Sequence, residues 1–243
     1  MILYIILAIV LTIAIVWLID KFVPNKLRPV VHIVLWAVII ALGYFTYMSV
    51  YEEIKFNEIK EERYAKAIEK LIDIRDSELA YKEVNGKFTK SYDSLIKFIE
   101  TGKFTLTQRR DSSIVDEELT KRYGGVTTYK EIVLVDTLGY ASVKDSLFKS
   151  SNRYKTMMNV PFAKEGTKFK LDAGYLTTSD TKIPVFEASV KKRKILHDQP
   201  NDLILKENQV ISVEGVNGDA IKVGSMDEVK TIGNWPKTYG SNE

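Results

Sequence analysis

Residues 30–82 read VVHIVLWAVIIALGYFTYMSVYEEIKFNEIKEERYAKAIEKLIDIRDSELAYK, an apolar segment that passes into a charged helical one with no proline or turn signal between them. At about 1.5 Å per residue a helix over this stretch would be roughly 80 Å long, of which about 30 Å suffices for the hydrocarbon core of a bilayer. The expectation is a membrane span that continues outward as a stalk. Ala65, Ile68, Leu71, Ile72 and Leu79 recur at spacings of three and four, which packs the distal half of the helix on one face. The proximal half, Glu52 to Arg63, reads either as solvated or as paired in a coiled coil, and its irregular heptads leave both open. Asn85-Gly86 marks the end, because glycine supplies the left-handed conformation that closes a helix.

Upstream, residues 1–19 carry no charged side chain and only Thr12 is clearly polar, so a first span is expected there. A cleaved signal peptide is the rival reading, and it lacks both a basic n-region and an A-x-A-like site before Asp20 and Lys21. Between the spans, KFVPNKLRP breaks helix at Pro24, Asn25 and Pro29, which folds the pair into an antiparallel hairpin. The expected fold class is therefore α+β and membrane-anchored: a two-helix transmembrane hairpin over 1–51, a helical stalk over 52–85 and an antiparallel β-rich domain over 86–243. Lys21, Lys26 and Arg28 outnumber Asp20 in the loop 20–29, which puts that loop in the cytoplasm and the C-terminal domain outside it. In a bacterial inner membrane that domain is periplasmic. Trp17 and Trp36 then lie toward the cytoplasmic side, with Tyr4, Tyr44 and Tyr47 toward the other.

No Asp, Glu, Lys or Arg falls between Ile2 and Ile19 or between Val30 and Val50, so the spans offer no carboxylate or ammonium for a proton or ion path. His32 lies a turn from the boundary, where an imidazole reaches water or headgroups. Ala37 and Ala41 on one helix, with Ala8 and Thr12 on the other, are candidate membrane-packing positions, since small residues at four-residue spacing let helices approach closely.

After Gly86 the chain reads as a short extension, a cap at Ser91 and a helix through Leu95, Ile96, Phe98 and Ile99 to Gly102. A third short helix is expected over Ile114 to Tyr123, stopped by Gly124-Gly125. From Val126 the period changes to two. The stretches VTTYKEIVLVD, YASVKDSLF, KFKLDAGYL, KIPVFEASVKKRKIL, NQVISVEG and DAIKVG all read as strands of an antiparallel β-rich head. Pro161, Pro184 and Pro200 belong at strand starts, edges or loops.

The segment RDSELAYKEVNGKFTKSYDSLIKFIETGK resembles the point where type II secretion pseudopilins and type IV pilins pass from their long helix into the headpiece. Tyr81, Gly86, Lys87, Phe88, Ser91 and Leu95 stand at matching places. The arrangement also looks like a group of Gram-negative envelope proteins that share this segment, a later stretch with Asp136, Thr137 and Ser142 to Phe148, and GNWP at Gly233 to Pro236. The chain departs from pilins in lacking a prepilin-peptidase leader and a glutamate near the start of the first apolar run, and in placing an extra span first. The resemblance implies a helix-mounted α+β headpiece used for assembly or docking, without pilin processing.

The chain has 243 residues, a formal net charge of +3, 28% charged residues of mixed sign and no cysteine. That charge balance gives no electrostatic case for nucleic acid, and the missing cysteines exclude disulfides, thiolate zinc sites and a cysteine nucleophile. Two histidines, His32 and His197, exclude a two-histidine metal motif within one chain, and no G-x-S-x-G elbow accompanies His197. No phosphate-binding glycine loop has the required spacing, and Asp116, Glu117 and Glu118 read as a solvated helix face. No enzyme activity and no cofactor are expected. The run Lys191, Lys192, Arg193 and Lys194 is a candidate basic docking patch toward phosphate headgroups or an acidic partner; the competing reading is a lysine-protected edge strand. Trp235, Tyr239 and Phe186 would line a glycan or peptide surface, or else pack in a core.

Taken together, these readings lead to a non-enzymatic inner-membrane subunit or scaffold of a cell-envelope machine. The machine is of the secretion or pilus-assembly kind, or a proton-driven motor that it serves as an accessory subunit. Membrane lipids, other complex subunits and further copies of the chain are the expected partners. The alternative is a periplasmic ligand-binding or sensory module for peptidoglycan, lipid or peptide.

Overall fold

The structure, a computed structural model, describes residues 10, 12–17, 19, 21, 24, 27–178 and 181–240. Ala8, Tyr4, Asn25, Lys26 and most of the first expected span lie outside the described residues. The chain divides by its packing into two units, Met1–Asn57 and Glu58–Glu243.

The helix α1, Arg28–Asn85, runs 58 residues and belongs to both units. Among the described residues it is the one helix long and apolar enough to cross a membrane. No residue of its apolar part is buried, and Ile33, Ile40 and Phe45 are each more than 60% accessible. The polar side chains there turn back on the helix. His32 Nδ1 lies 2.7 Å from the Arg28 carbonyl, which only accepts, so that nitrogen carries the proton. Thr46 Oγ1 donates to the Leu42 carbonyl at 2.8 Å. Residues 12–17 are helical as well, and Thr12, Ala37 and Ala41 are exposed.

In the second unit α1 is the core element. Tyr64, Ala67, Ile68, Leu71 and Ile74 are almost wholly buried, so residues 58–85 fold with the head. The helix ends at Asn85 and Gly86 takes φ of +72°, as the Asn-Gly pair predicts. The helix α2, Tyr92–Thr101, begins at Ser91, whose side chain accepts from Ser94 N, and buries Leu95, Phe98 and Ile99. Tyr81 of α1 meets Phe98 edge-on at 5.0 Å, which locks the two helices together.

Two sheets follow. In the first, β1 (Lys103–Val115) pairs antiparallel with β2 (Tyr129–Ser142), and the two strands pair only with each other. The helix α3, Glu117–Arg122, sits at the turn of this ribbon, capped by the Asp116 carboxylate. In the second, β3 (Lys170–Thr178), β4 (Thr181–Lys191) and β5 (Ala220–Gly224) form an antiparallel sheet with β4 in the middle. Phe186, Ala188 and Val190 of β4 alternate inward with Ile221 and Val223 of β5. Phe88 packs on Phe186 at 4.7 Å. Pro184 is tolerated in the central strand because β5 pairs only from Glu187 onward, leaving that position one neighbour.

Four segments differ from the sequence reading. Residues 103–115 form a strand that leaves most of both faces in solvent, so no burial period marks it. The SVKDSLF stretch, expected as strand, contains the helix α4, Val143–Leu147: Ser142 accepts from Asp145 N, and Val143 and Phe148 are buried. KIPVFEASVKKRKIL is not one strand; β4 stops at Lys191 and Lys192–Ile195 form the short helix α5. NQVISVEG holds no strand. The helix α6, Asn201–Asn208, ends there, and Ile211 and Val213 stand 94% and 93% exposed in the loop that follows.

The GNWP segment ties β5 to the core. Asn234 Oδ1 accepts from Lys222 N at 2.9 Å, and its Nδ2 donates to Ala220 and Asn217 carbonyls. A Cβ on Gly233 would stand 2.5 Å from the buried Trp235 ring, so only glycine fits beneath it.

Candidate functional site

The basic run does not form one surface. Lys192 is wholly buried, while Lys191, Arg193 and Lys194 are exposed. The Lys192 ammonium donates to the carbonyls of Glu207 and Val216, each at 2.7 Å, and to Glu207 Oε1 at 3.0 Å. All three of its protons are thereby used. Glu207 also accepts from Lys60 Nζ at 3.2 Å and from the Tyr64 hydroxyl at 3.4 Å, so one carboxylate joins α1, α5 and α6. Burial lowers the Lys192 ammonium pKa, and the Glu207 carboxylate opposes that shift. The edge-strand reading of the lysines is corrected by the same geometry: β4 is central, and the run turns into a helix because Lys192 is held inward.

With Lys192 anchored, Arg193, Lys194 and His197 line a half-open cavity of about 380 Å³. Lys164 and Thr167 face it from the loop before β3, and Asn201 and Ile204 close it from α6. That loop is fixed by Val160 N donating to Thr167 O at 3.0 Å and Thr167 N to Lys164 O at 3.1 Å. The Arg193 guanidinium donates to Asn201 Oδ1 at 3.2 Å. Among the described residues no carboxylate lines the cavity. Asp198, next to His197, is turned to Arg63, whose guanidinium donates to both of its oxygens and holds the carboxyl well below the usual range. Asp202, in the first turn of α6, is exposed and is not among the lining residues.

The other distinctive surface is the ribbon. Cross-strand partners share a face, so Val115 with Tyr129, Asp111 with Val133 and Arg109 with Val135 form one side of it. Tyr129, Val133 and Val135 are 63%, 59% and 55% exposed. The opposite side holds half-buried Ile132 and Leu134, and there Arg110 pairs with Asp136 at 3.0 Å. A lone two-stranded ribbon is marginal in water, and strands of this length normally have their free edges covered or blunted. Here neither strand contains proline, and one bulge between Leu106 and Thr107 is the single irregularity.

The remaining sequence candidates resolve as structure. Phe186 and Trp235 are buried and Tyr239 is half-buried, so they form no aromatic platform. Asp116 caps α3, accepting from Leu119 N at 3.0 Å. Among the described residues no group of histidine and carboxylate side chains is placed to hold a metal. Sequence reasoning passed over Glu78, which is wholly buried on α1. Its Oε2 accepts from Thr89 N at 2.9 Å, its Oε1 has no partner among the described residues, and burial pushes the carboxyl up to about 8. No protein-family model, curated protein or solved structure matches the chain.

Proposed function

We propose that the protein is a non-enzymatic, membrane-anchored subunit of a bacterial cell-envelope assembly, and that its head engages a partner protein through the β1–β2 ribbon. The observation that carries this reading is the ribbon itself: long free edges and exposed Tyr129, Val133 and Val135, with Glu131 between the first two on the same face, on strands that among the described residues pair only with each other. An added strand from a partner would satisfy an edge and cover those side chains. The apolar part of α1 supports the anchor, and a first span over residues 1–19 would complete the hairpin. With that hairpin, the loop 20–29 lies in the cytoplasm and the head in the periplasm. The setting is an assembly of the secretion or pilus kind, or a proton-driven motor whose proton-carrying groups come from other subunits. Pseudopilin-like architecture, without pilin processing, belongs to the same reading.

A photo-crosslinking residue placed at Tyr129 or Val133 in the full chain, in native cells, tests the partner. A discrete heavier protein adduct from both sites, absent from a control at exposed Lys149, is the expected result. No adduct at either site overturns the proposal, and an adduct at twice the chain's mass names a second copy in place of the partner. For the topology, cysteines at Ser150 and Asn25 are labelled in intact cells with an impermeant reagent that crosses only the outer membrane. Labelling of the second and protection of the first reverses the orientation. The basic cavity favours a second reading, a head that also senses a ligand.

A further inference from the structure

We propose that the cavity between α5, α6 and the loop before β3 binds a phosphate group, carried either by a lipid headgroup or by a soluble phosphate compound. Three cationic side chains, Lys164, Arg193 and Lys194, line it together with His197 and Thr167, and among the described residues no carboxylate does. Such a concentration of one sign stands out in a chain whose total charge is only +3 and whose charges of both signs are mixed along most of its length. Like charges held around one concavity repel, and a multiply charged oxyanion removes that repulsion.

The placement is built from the surrounding structure. Lys192 is tied inside by three acceptors, so its neighbours Arg193 and Lys194 are directed outward at a fixed position. Arg193 is further oriented by Asn201, which takes one N–H of the guanidinium at the cavity wall. The acidic residue next in the chain to His197 is withdrawn: Asp198 is neutralised by Arg63 on α1, which also donates to the Ile195 carbonyl at 2.8 Å. Lys164 and Thr167 sit on a loop closed by its own backbone bonds. A phosphate monoester carries close to two negative charges near neutral pH and offers several acceptor oxygens, which suits a guanidinium, two ammonium groups and a hydroxyl. At about 380 Å³ the cavity has room for more than the phosphate alone, so the group attached to it is held too. This inference is independent of the ribbon and stands if the ribbon proves to have no partner.

The test uses the full chain in nanodiscs, with two probes: inorganic phosphate in solution, titrated calorimetrically, and phosphatidic acid incorporated at stated fractions into separate phosphatidylcholine discs and read by native mass spectrometry. The variants are Lys164→Gln with Arg193→Gln, both exposed positions, and Lys97→Gln with Lys149→Gln as a charge-matched control elsewhere on the head. Saturable binding of either probe is expected, weakened at least about tenfold in the first variant and unchanged in the control. Loss of phosphatidic acid retention alone names the lipid source, and loss of inorganic phosphate binding alone names the soluble one. The proposal is overturned by absence of saturable binding to both probes, by equal weakening in both variants, or by binding that the first variant leaves intact. Unchanged thermal unfolding of the variants separates lost binding from lost folding.

Discussion

Lys192 Nζ and Glu207 Oε1 stand 3.0 Å apart with the lysine wholly buried and the glutamate almost so. This pair draws α5 and α6 onto the Lys60 and Tyr64 end of the head's α1 segment, and it turns one member of a basic run into a core residue. Removing one partner leaves the other charged and buried. Glu207→Gln and Lys192→Met, made singly, should each lower stability by about 3–5 kcal/mol, and the double change to Met and Leu should not restore it, because Tyr64 and the Val216 carbonyl then lose their partners as well. Denaturant unfolding of the detergent-solubilised full chain, followed by near-ultraviolet circular dichroism, measures the difference.

Glu78 should make stability fall as the solution becomes alkaline. Its carboxyl titrates at about 8 in the folded head, against 4.5 for an exposed glutamate, because burial disfavours the anion. The folded state therefore holds a proton that the unfolded chain releases. The resulting stabilisation is complete below about 4.5 and is lost as pH rises through about 8, a change on the order of a few kcal/mol. Glu78→Gln keeps an acceptor for Thr89 N and removes the titration. The difference in melting temperature between the variant and wild type should grow from pH 5 to about pH 8, in the variant's favour, and level off above that; a constant difference over this range would refute the assignment.

Two glycines of the head separate backbone strain from steric exclusion. Gly86 has φ of +72° and nothing within 4 Å of an added Cβ, so Gly86→Ala should cost about 1 kcal/mol. Gly224 has φ of +76°, and its Cβ would collide with the Phe186 carbonyl oxygen. Gly224→Ala must push β5 away from β4 and should cost several times more, on the order of 3 kcal/mol. Paired thermal melts of the two variants compare the costs.

The ribbon should be separable from folding. Val133→Lys with Val135→Lys changes two exposed positions and should alter stability by less than about 1 kcal/mol. The same pair should abolish the adduct formed by a crosslinker at Tyr129. An adduct that survives both lysines would show that Val133 and Val135 are not the contact.

Local chemistry made much of the helical part legible. The Asn85-Gly86 stop, the Ser91 cap and the buried triplet Leu95, Phe98 and Ile99 follow from residue type and spacing. The expected stripe on α1 holds at Ile68 and Leu71, whereas Ile72 is half-buried and Ala65 and Leu79 are exposed, because the head packs on the face that carries Tyr64, Ala67 and Ile74. The β-rich part was read less well, for two different physical reasons. Lys103–Val115 forms a strand without a buried face, so it carries no alternation to detect. Val210, Ile211 and Val213 carry β-like residues with no sheet to join, and the chain leaves Ile211 and Val213 in solvent.

The cavity was half legible. Arg193 and Lys194 stood out as a run, and His197 as the one histidine beyond the apolar segments. Lys164 and Thr167 lie some thirty residues earlier, and nothing in one dimension joins them to that run.

The amino-acid order by itself determined an apolar segment continuing into a charged helix, the stop of that helix and the bounds of the next, and the absence of cysteine chemistry. These are properties of neighbours along the chain, set by propensity, spacing and composition. Only the tertiary structure decided which lysine of the run is buried and which strands pair. It also brought Lys164 beside Arg193 and turned Asp198 away to Arg63. Those outcomes depend on desolvation and on contacts between residues far apart in sequence, where a charge faces solvent or the core according to what the rest of the fold places next to it.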